Sequence, residues 1–418
     1  MGHYQKKNKA KTKRGEELLL ELRLDRSELQ KMIQEGLQGL ALEIGVEVAT
    51  ALLADEVEAH CGPRRKRDAG RGAYRHGTQR GWIAIGGAKT AIERPRVRGI
   101  DGKEMVLKLY QSMQRSARQD GVMRRLVRGV SCRNYRAVID AIRKSYGVSA
   151  SSVSRSFVEA SEARVRELAE RRFDDVPFVA MFIDGICFSR RSLVVAVGVT
   201  ECGEKRVLAV REGATENARV CTDLLEDLRD RGIDTNTRIL FVLDGSKALR
   251  AAVDRVWGER AEVQRCQQHK LRNLASYVPD QNWPDVGAAI RKAYAETSYK
   301  KAKRALETVA RWLDRINPHA AASLREGLDE TLTVTRLGLR GRLRRSFATT
   351  NLVEAIFGRT RTMTGRVKRW RDGSMRQRWC ATALLHAEAT FRAVKGCSEM
   401  PQLLTALGRS SAKLRRVA

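Results

Sequence analysis

Two apolar runs in this chain stop on the same dipeptide. Residues 178–190 read "FVAMFIDGICFSR", and residues 238–250 read "RILFVLDGSKALR". A short continuous run of branched and aromatic residues bounded by polar positions marks a strand buried on both faces. Each segment is therefore expected inside a covered sheet. Asp184 and Asp244 would end the two strands, each followed by a glycine that lets the backbone turn while the carboxylate faces outward. One Asp-Gly pair is ordinary turn chemistry. Two copies on strands expected to be neighbours form a constellation.

The intervening sequence supplies the reason to expect them as neighbours. "RSLVVAVGVT" and "KRVLAVREG", joined by the turn "ECGE", complete an antiparallel meander with the first run. "TENARVCTDLLEDLRDRGI" is an amphipathic helix capped by its threonine, Thr215, with Gly232 near its end. The second run follows, then the helix "KALRAAVDRVWG", the short strand "EVQRC" and a helix from His269. Three antiparallel strands, helix, strand, helix, strand resembles the order of the ribonuclease H-like fold, whose first and fourth strands lie side by side. Asp184 and Asp244 would then repel each other, and a divalent cation removes that repulsion. Mg²⁺ prefers carboxylate oxygen and keeps positions for phosphate and water. Two such ions can activate a hydroxyl and stabilise a leaving oxygen in phosphoryl transfer.

A third carboxylate is available downstream. Residues 336–378 carry thirteen Lys and Arg but only two acids, Glu354 and Asp372. "TTN" gives a helix start just before Glu354, and Leu352, Val353 and Ile356 supply an apolar face. The isolated glutamate is read as a metal ligand, with neighbouring cations holding nucleic acid.

Charge agrees with that partner. Eighty Lys and Arg against forty-nine Asp and Glu leave a formal charge of +31 on 418 residues, which calls for a polyanion. A ribosomal or membrane-surface protein is the alternative, but neither usually needs so large a folded core. No run of eighteen apolar residues exists, so no membrane span is expected. The basic start "MGHYQKKNKAKTKRGEE" lacks the apolar stretch of a secretory signal, and Lys6 stands where a myristoylation site has Ser or Thr. Eight scattered cysteines form no Cys-x-x-Cys pair and read as reduced, cytoplasmic core fillers.

The N-terminal half divides by texture. Residues 1–15 form a basic arm without expected structure, and residues 16–60 carry helical apolar spacing. Residues 61–115 are rich in Gly and Arg. Short strands are expected near Trp82–Ile85 and Thr90–Ile92, and Tyr74, His76 and Trp82 suit a small DNA-contacting β element. Residues 116–175 contain a helix begun by Ser131, a turn at Gly147 and a second helix in "SASSVSRSFVEA", the pattern of a helix-turn-helix. Candidate DNA contacts are Arg133 and Arg155 here, and Arg344, Arg345, Arg359, Arg361, Arg366, Lys368 and Arg369 in the basic C-terminal segment.

Together these pieces resemble the transposases of Mutator-type bacterial insertion sequences. The resemblance is carried by Asp184-Gly, "KRVLAVREGATENARVCTDLLEDLRDRG", "DGSKALRAAV", "RCQQHKLRNL" and "TTNLVEAI", with "RGAYRHGTQRGW", "RPRVRG" and "RGVSCRNYRAV" upstream. It implies an α+β multidomain chain, with a catalytic region over 176–418 and a mostly helical insertion at about 275–345 before the third carboxylate. It further implies a DDE triad of Asp184, Asp244 and Glu354 using Mg²⁺, with Mn²⁺ as a substitute. The two aspartates would hold both ions and Glu354 would complete one coordination sphere. The DNA partners implied are terminal inverted repeats and target DNA, bound by a homodimer or larger assembly at the bacterial nucleoid. The family usually has Asn three residues after the glutamate, where this chain has Phe357. Cys266 and His269 match the family's Cys-x-x-His pair after the fifth strand. That spacing suits half a zinc site, but no second ligand pair lies nearby in sequence. His269 is therefore expected near the active centre, against the scissile phosphate, and Cys266 as a buried strand-end residue. A metal-dependent nuclease or resolvase on the same fold, and a DNA-binding regulator with an inactive core, are the alternatives.

Overall fold

The computed structural model describes residues 37–65, 70–85, 87–136, 145–146, 148–188, 191–215 and 217–409. The basic arm, the start of the helical region and most of the first helix-turn-helix element, with its Gly147 turn, lie outside these residues. The chain is α+β and divides into two compact units, Met1–Ala160 and Ser161–Ala418.

The first unit joins helix α1 (Leu37–Cys61) to a small sheet. Ala49, Leu53, Val57 and Cys61 recur every four residues on α1 and are buried against Ile83, Ile92, Val97 and Leu107. That apolar stripe drives the packing. The sheet is larger than the two short strands expected. β1 (Ala73–Ile85) and β2 (Ala88–Gly99) pair along nearly their whole length as an antiparallel hairpin, with an irregularity between Arg75 and Thr78. The arginines of this stretch sit at exposed or half-buried strand positions, and sheet pairing is made by backbone, not by side-chain polarity. β3 (Glu104–Met105) pairs with β2, and helix α2 (Lys108–Val127) follows. Ser131 accepts from the Asn134 N–H at 3.1 Å, as a helix start requires. Ser145–Tyr146 form a short strand, β4, against Lys89–Thr90. Helix α3 (Ala150–Glu170) has Val153, Phe157 and Ala160 buried and Arg155 exposed, and the division between the units falls within it.

The second unit is built on a five-stranded sheet. Its strands are β5 (Phe178–Phe188), β6 (Arg191–Thr200), β7 (Lys205–Glu212), β8 (Ile239–Leu243) and β9 (Ala261–Arg265). The spatial order is β7-β6-β5-β8-β9, antiparallel from β7 to β5 and parallel from β5 to β9. β5 and β8 are neighbours, as expected, with Ile183 opposite Leu243. Helices α4 (Ala218–Asp230) and α5 (Lys247–Trp257) cover one face, where Met181, Ile183, Phe241 and Leu243 meet Leu224, Leu228, Val253 and Trp257. Phe182, Ile186 and Val242 point to the other face, a consequence of the two-residue strand period.

After β9 the chain becomes helical. α6 (Gln267–Ala275), α7 (Trp283–Ala295), α8 (Tyr299–Ile316) and α9 (Pro318–Arg325) share a core of their own, including Leu274, Ile290, Leu306 and Leu324. Three short helices, α10 (Leu328–Thr331), α11 (Thr333–Arg336) and α12 (Gly341–Phe347), lead back to the sheet. α13 (Asn351–Thr364) and α14 (Gly373–Glu388) then pack on the face that holds Phe182. A last helix, α15 (Met400–Ala406), completes that layer.

Candidate active site

Asp184 is 7% exposed and lies on β5 at the same parity as Phe182 and Ile186, the residues facing the layer that contains α13. One oxygen of Asp184, one ring nitrogen of His269 and one oxygen of Glu354 lie within 4.8 Å of one another. Three elements contribute: a central strand, α6 just after β9, and the first turn of α13. Val353, Ile356 and Phe357 anchor α13 in the core and leave Glu354 half-buried toward Asp184. Phe357, where the family usually has Asn, is only 1% exposed and serves packing.

The two Asp-Gly pairs differ. β5 does not stop at Asp184 but continues to Phe188 beside β6. Gly185 therefore makes no turn, and its N–H donates to Asp184 Oδ1 at 2.7 Å. Asp244 does end its strand, and Gly245 follows with φ +108°, in the left-handed region. The Asp244 carboxylate is not among the three clustered ligand groups. Oδ2 accepts from the Thr215 hydroxyl at 3.0 Å, and Oδ1 accepts from the Ser246 N–H at 2.9 Å. Thr215 is thus no helix cap. Asn217 caps α4 instead, accepting from the N–H groups of Arg219 and Val220. With its hydroxyl committed to Asp244, Thr215 leaves the helix end to the next residue able to serve it.

Glu354 has two further partners. The Arg272 guanidinium spans both its oxygens at 3.3 Å, and the Thr350 hydroxyl lies 3.2 Å from Oε1. His269 and Arg272 are three residues apart on α6, which puts both on one helix face. Cys266 is fully buried at the end of β9, where it caps α6, and its sulfur accepts from the Thr350 N–H at 3.3 Å.

Burial pushes the Asp184 carboxyl up to about 6, with the Asp244 and Glu354 charges adding and the Gly185 N–H and His269 opposing. His269 is raised, first by its interaction with Cys266 and then by the carboxylates, against its own burial. Burial raises the Cys266 thiol, but hydrogen bonds from His269 and Thr350 outweigh it and leave the thiol lowered. Two carboxylates and an imidazole within bonding range of one point fit a divalent cation.

The other candidate residues are more dispersed. Arg345, Arg359, Arg361, Arg366, Lys368 and Arg369 are exposed on or after α12 and α13. Arg344 is different: its guanidinium donates to the carbonyls of Tyr294, Ala295 and Glu296, so it closes the end of α7. Arg133 is exposed in the first unit. A groove of about 790 Å³ lies beside the Gly245 loop, but Asp184, His269 and Glu354 do not line it. Two of its cations are paired with acids that also line it, Arg250 with Glu330 at 2.7 Å and Lys303 with Asp329 at 2.8 Å.

In the sequence Thr215 and Thr350 read only as helix starts, and Arg272 carries no assigned role. Arg272 had a usable signal, its three-residue spacing from His269. The threonines had none, because each occupies a position that reads equally well as a helix cap.

Fold and site together define an α+β protein with a carboxylate and imidazole cluster mounted on a mixed sheet. The chain belongs to the Mutator family of transposases, whose sequence profile matches residues 17–388. It is 27% identical over 315 residues to the transposase for insertion sequence element ISRM5 of Rhizobium meliloti (strain 1021), covering 72% of this chain and 76% of that one. It is 30% identical over 179 residues to the transposase for insertion sequence element IST2 of Acidithiobacillus ferrooxidans, covering 43% of this chain and 59% of that protein. Among the described residues no helix is long and apolar enough to cross a membrane.

Proposed function

We propose that this chain is a DDE-type transposase that binds the terminal inverted repeats of an insertion sequence, cleaves a strand at each end and joins the freed end to target DNA. The observation that carries this reading is the convergence of Asp184, His269 and Glu354 from three distant segments of a Mutator-family chain, with Asp244 on the neighbouring strand. The strand order of the second unit supports a ribonuclease H-like assignment, with α7–α12 as the insertion before Glu354.

Asp184 and Glu354 would hold a divalent cation, Mg²⁺ with Mn²⁺ as a substitute, and Asp244 would join on release from Thr215 and Ser246. Bound there, the cation would activate the attacking hydroxyl and stabilise the leaving oxygen of the phosphate. The protein's own groups do the rest. Arg272 holds the Glu354 carboxylate in place by spanning both its oxygens, and His269 would sit beside the reacting phosphate. The exposed Arg345, Arg359, Arg361, Arg366, Lys368 and Arg369 would hold the DNA backbone, while Arg133, Arg155 and the β1–β2 hairpin serve the repeats. Joining two ends calls for a dimer or larger assembly, working in the cytoplasm on the nucleoid.

Asp184→Asn tests the reading. It removes one carboxylate charge but no phosphate contact, so strand cleavage in Mg²⁺ should be abolished while gel-shift affinity for the element end stays nearly unchanged. Normal cleavage by this variant overturns the assignment. A strand-transfer assay with the wild-type protein should also show joined products, and cleavage without joining would mark a nuclease instead.

A further inference from the structure

Thr350 is fully buried at the N-cap position of α13, yet its hydroxyl makes no capping bond. A threonine there ordinarily turns its oxygen to the free N–H groups of the first turn. Here the oxygen lies 3.2 Å from His269 Nδ1 and 3.2 Å from Glu354 Oε1. The Thr350 N–H donates to Cys266 Sγ, so the helix start that carries Glu354 is tied to the helix start that carries His269.

The hydroxyl has one proton and two lone pairs, and an ionised carboxylate only accepts. The proton goes to one of two acceptors, Glu354 Oε1 or Cys266 Sγ at 3.4 Å, and in either case the lone pair facing His269 is satisfied by an N–H at Nδ1. Nε2, 3.8 Å from Glu354 Oε1, is then the ring nitrogen that faces the carboxylates, and it can ligate a cation once it gives up its proton. A histidine whose far nitrogen is held by a hydrogen-bond partner and whose near nitrogen is open is the form that ligates metal.

We propose that Thr350 is a positioning residue that holds His269 in the Nδ1–H form, so that Nε2 becomes a ligand, beside Asp184 and Glu354, of the divalent cation. This deepens the reading above and rests on it. Mn²⁺, the substitute ion, accepts an imidazole nitrogen more readily than Mg²⁺ does and is therefore the probe.

The test uses the full-length protein titrated with Mn²⁺ alone, read by calorimetry and by pulsed electron paramagnetic resonance for nitrogen coupling to the bound ion. The wild type should show imidazole nitrogen coupling. Thr350→Val keeps the side-chain shape and should weaken Mn²⁺ binding about 10-fold or more, the scale seen when a ligand's hydrogen-bond partner is removed. Thr350→Ser keeps the hydroxyl and should bind as the wild type does. Unchanged affinity and coupling in Thr350→Val overturn the proposal. If that variant does not fold, the wild type decides, because Mn²⁺ bound without nitrogen coupling is equally fatal. Loss of cleavage in Asp184→Asn together with absent nitrogen coupling would remove this proposal and leave the transposase reading standing.

Discussion

A methyl group on Gly245 would come within 2.5 Å of Arg265 Nε, on a backbone held at φ +108°. That arginine is itself fixed, donating to the Gly245 carbonyl at 2.7 Å and to the Glu326 carbonyl at 3.1 Å. On Gly185 the same methyl would meet nothing closer than Thr215 Cγ2 at 3.7 Å, on extended backbone. Gly245→Ala should therefore cost about 1–3 kcal/mol, the usual scale for a non-glycine residue forced into strained backbone. Gly185→Ala should be neutral or stabilise by up to about 1 kcal/mol, because alanine loses less entropy in a strand. Urea denaturation midpoints of the two variants check this, and equal losses would show that the two glycines do the same work. The shared dipeptide had suggested a shared role. Only the neighbours that packing brings to each glycine distinguish them.

At the level of elements, a few buried polar contacts join the strand-end helix α6 to the helical region that follows. The Lys270 ammonium is buried and donates to the carbonyls of Ser323 and Glu326 at the end of α9. Gln264 and Gln267 both donate to the Thr331 carbonyl. Lys270→Met keeps the stem but leaves those carbonyls unmet, and should cost about 2–3 kcal/mol. Burial, with Arg265 adding, lowers the Lys270 pKa to about 8 from 10.5. Between those values the unfolded chain holds a proton that the folded chain has released, so this group's contribution to stability grows as pH rises through the window. The gap between wild type and Lys270→Met should widen from pH 7.5 to pH 10. A gap independent of pH would show that Lys270 does not titrate there. That this region is mostly helical was implied by the family resemblance. Its attachment was not, since a lysine in "QQHKLRN" reads as a solvated cation until a helix end arrives above it.

Across the whole molecule, a formal charge of +31 is spread over two units that differ in kind. The first pairs a basic hairpin with helices, and the second mounts the carboxylate cluster on its sheet with exposed arginines after α12 and α13. Many arginines with few neutral polar readers contact mainly phosphate, whereas a polar helix face such as "SASSVSRSFVEA" can reach base edges. Residues 1–175 should bind a terminal repeat more tightly than scrambled duplex. Residues 176–418 should bind both equally, with affinity falling steeply as salt rises. Gel shifts with both fragments at two salt concentrations test this division, which fails if only the C-terminal fragment discriminates.

The sequence by itself determined the buried strands around Ile183 and Leu243, their place side by side, the helix between them and the family to which the chain belongs. Strand and helix periods follow from backbone geometry and local apolar pattern, so they can be read without knowing the neighbours. Tertiary structure alone decided which polar atoms meet. Thr215 and Thr350 both sit where a helix begins, yet neither caps it, and packing brings Asp244 to 3.0 Å from the first hydroxyl and His269 Nδ1 to 3.2 Å from the second. Asp184 and Glu354 are 170 positions apart, and their common centre exists because α13 buries Val353, Ile356 and Phe357 against the face of the sheet on which Asp184 lies. A hydrogen bond depends on distance and direction at the scale of tenths of an ångström, and that scale is set only when the whole core has closed.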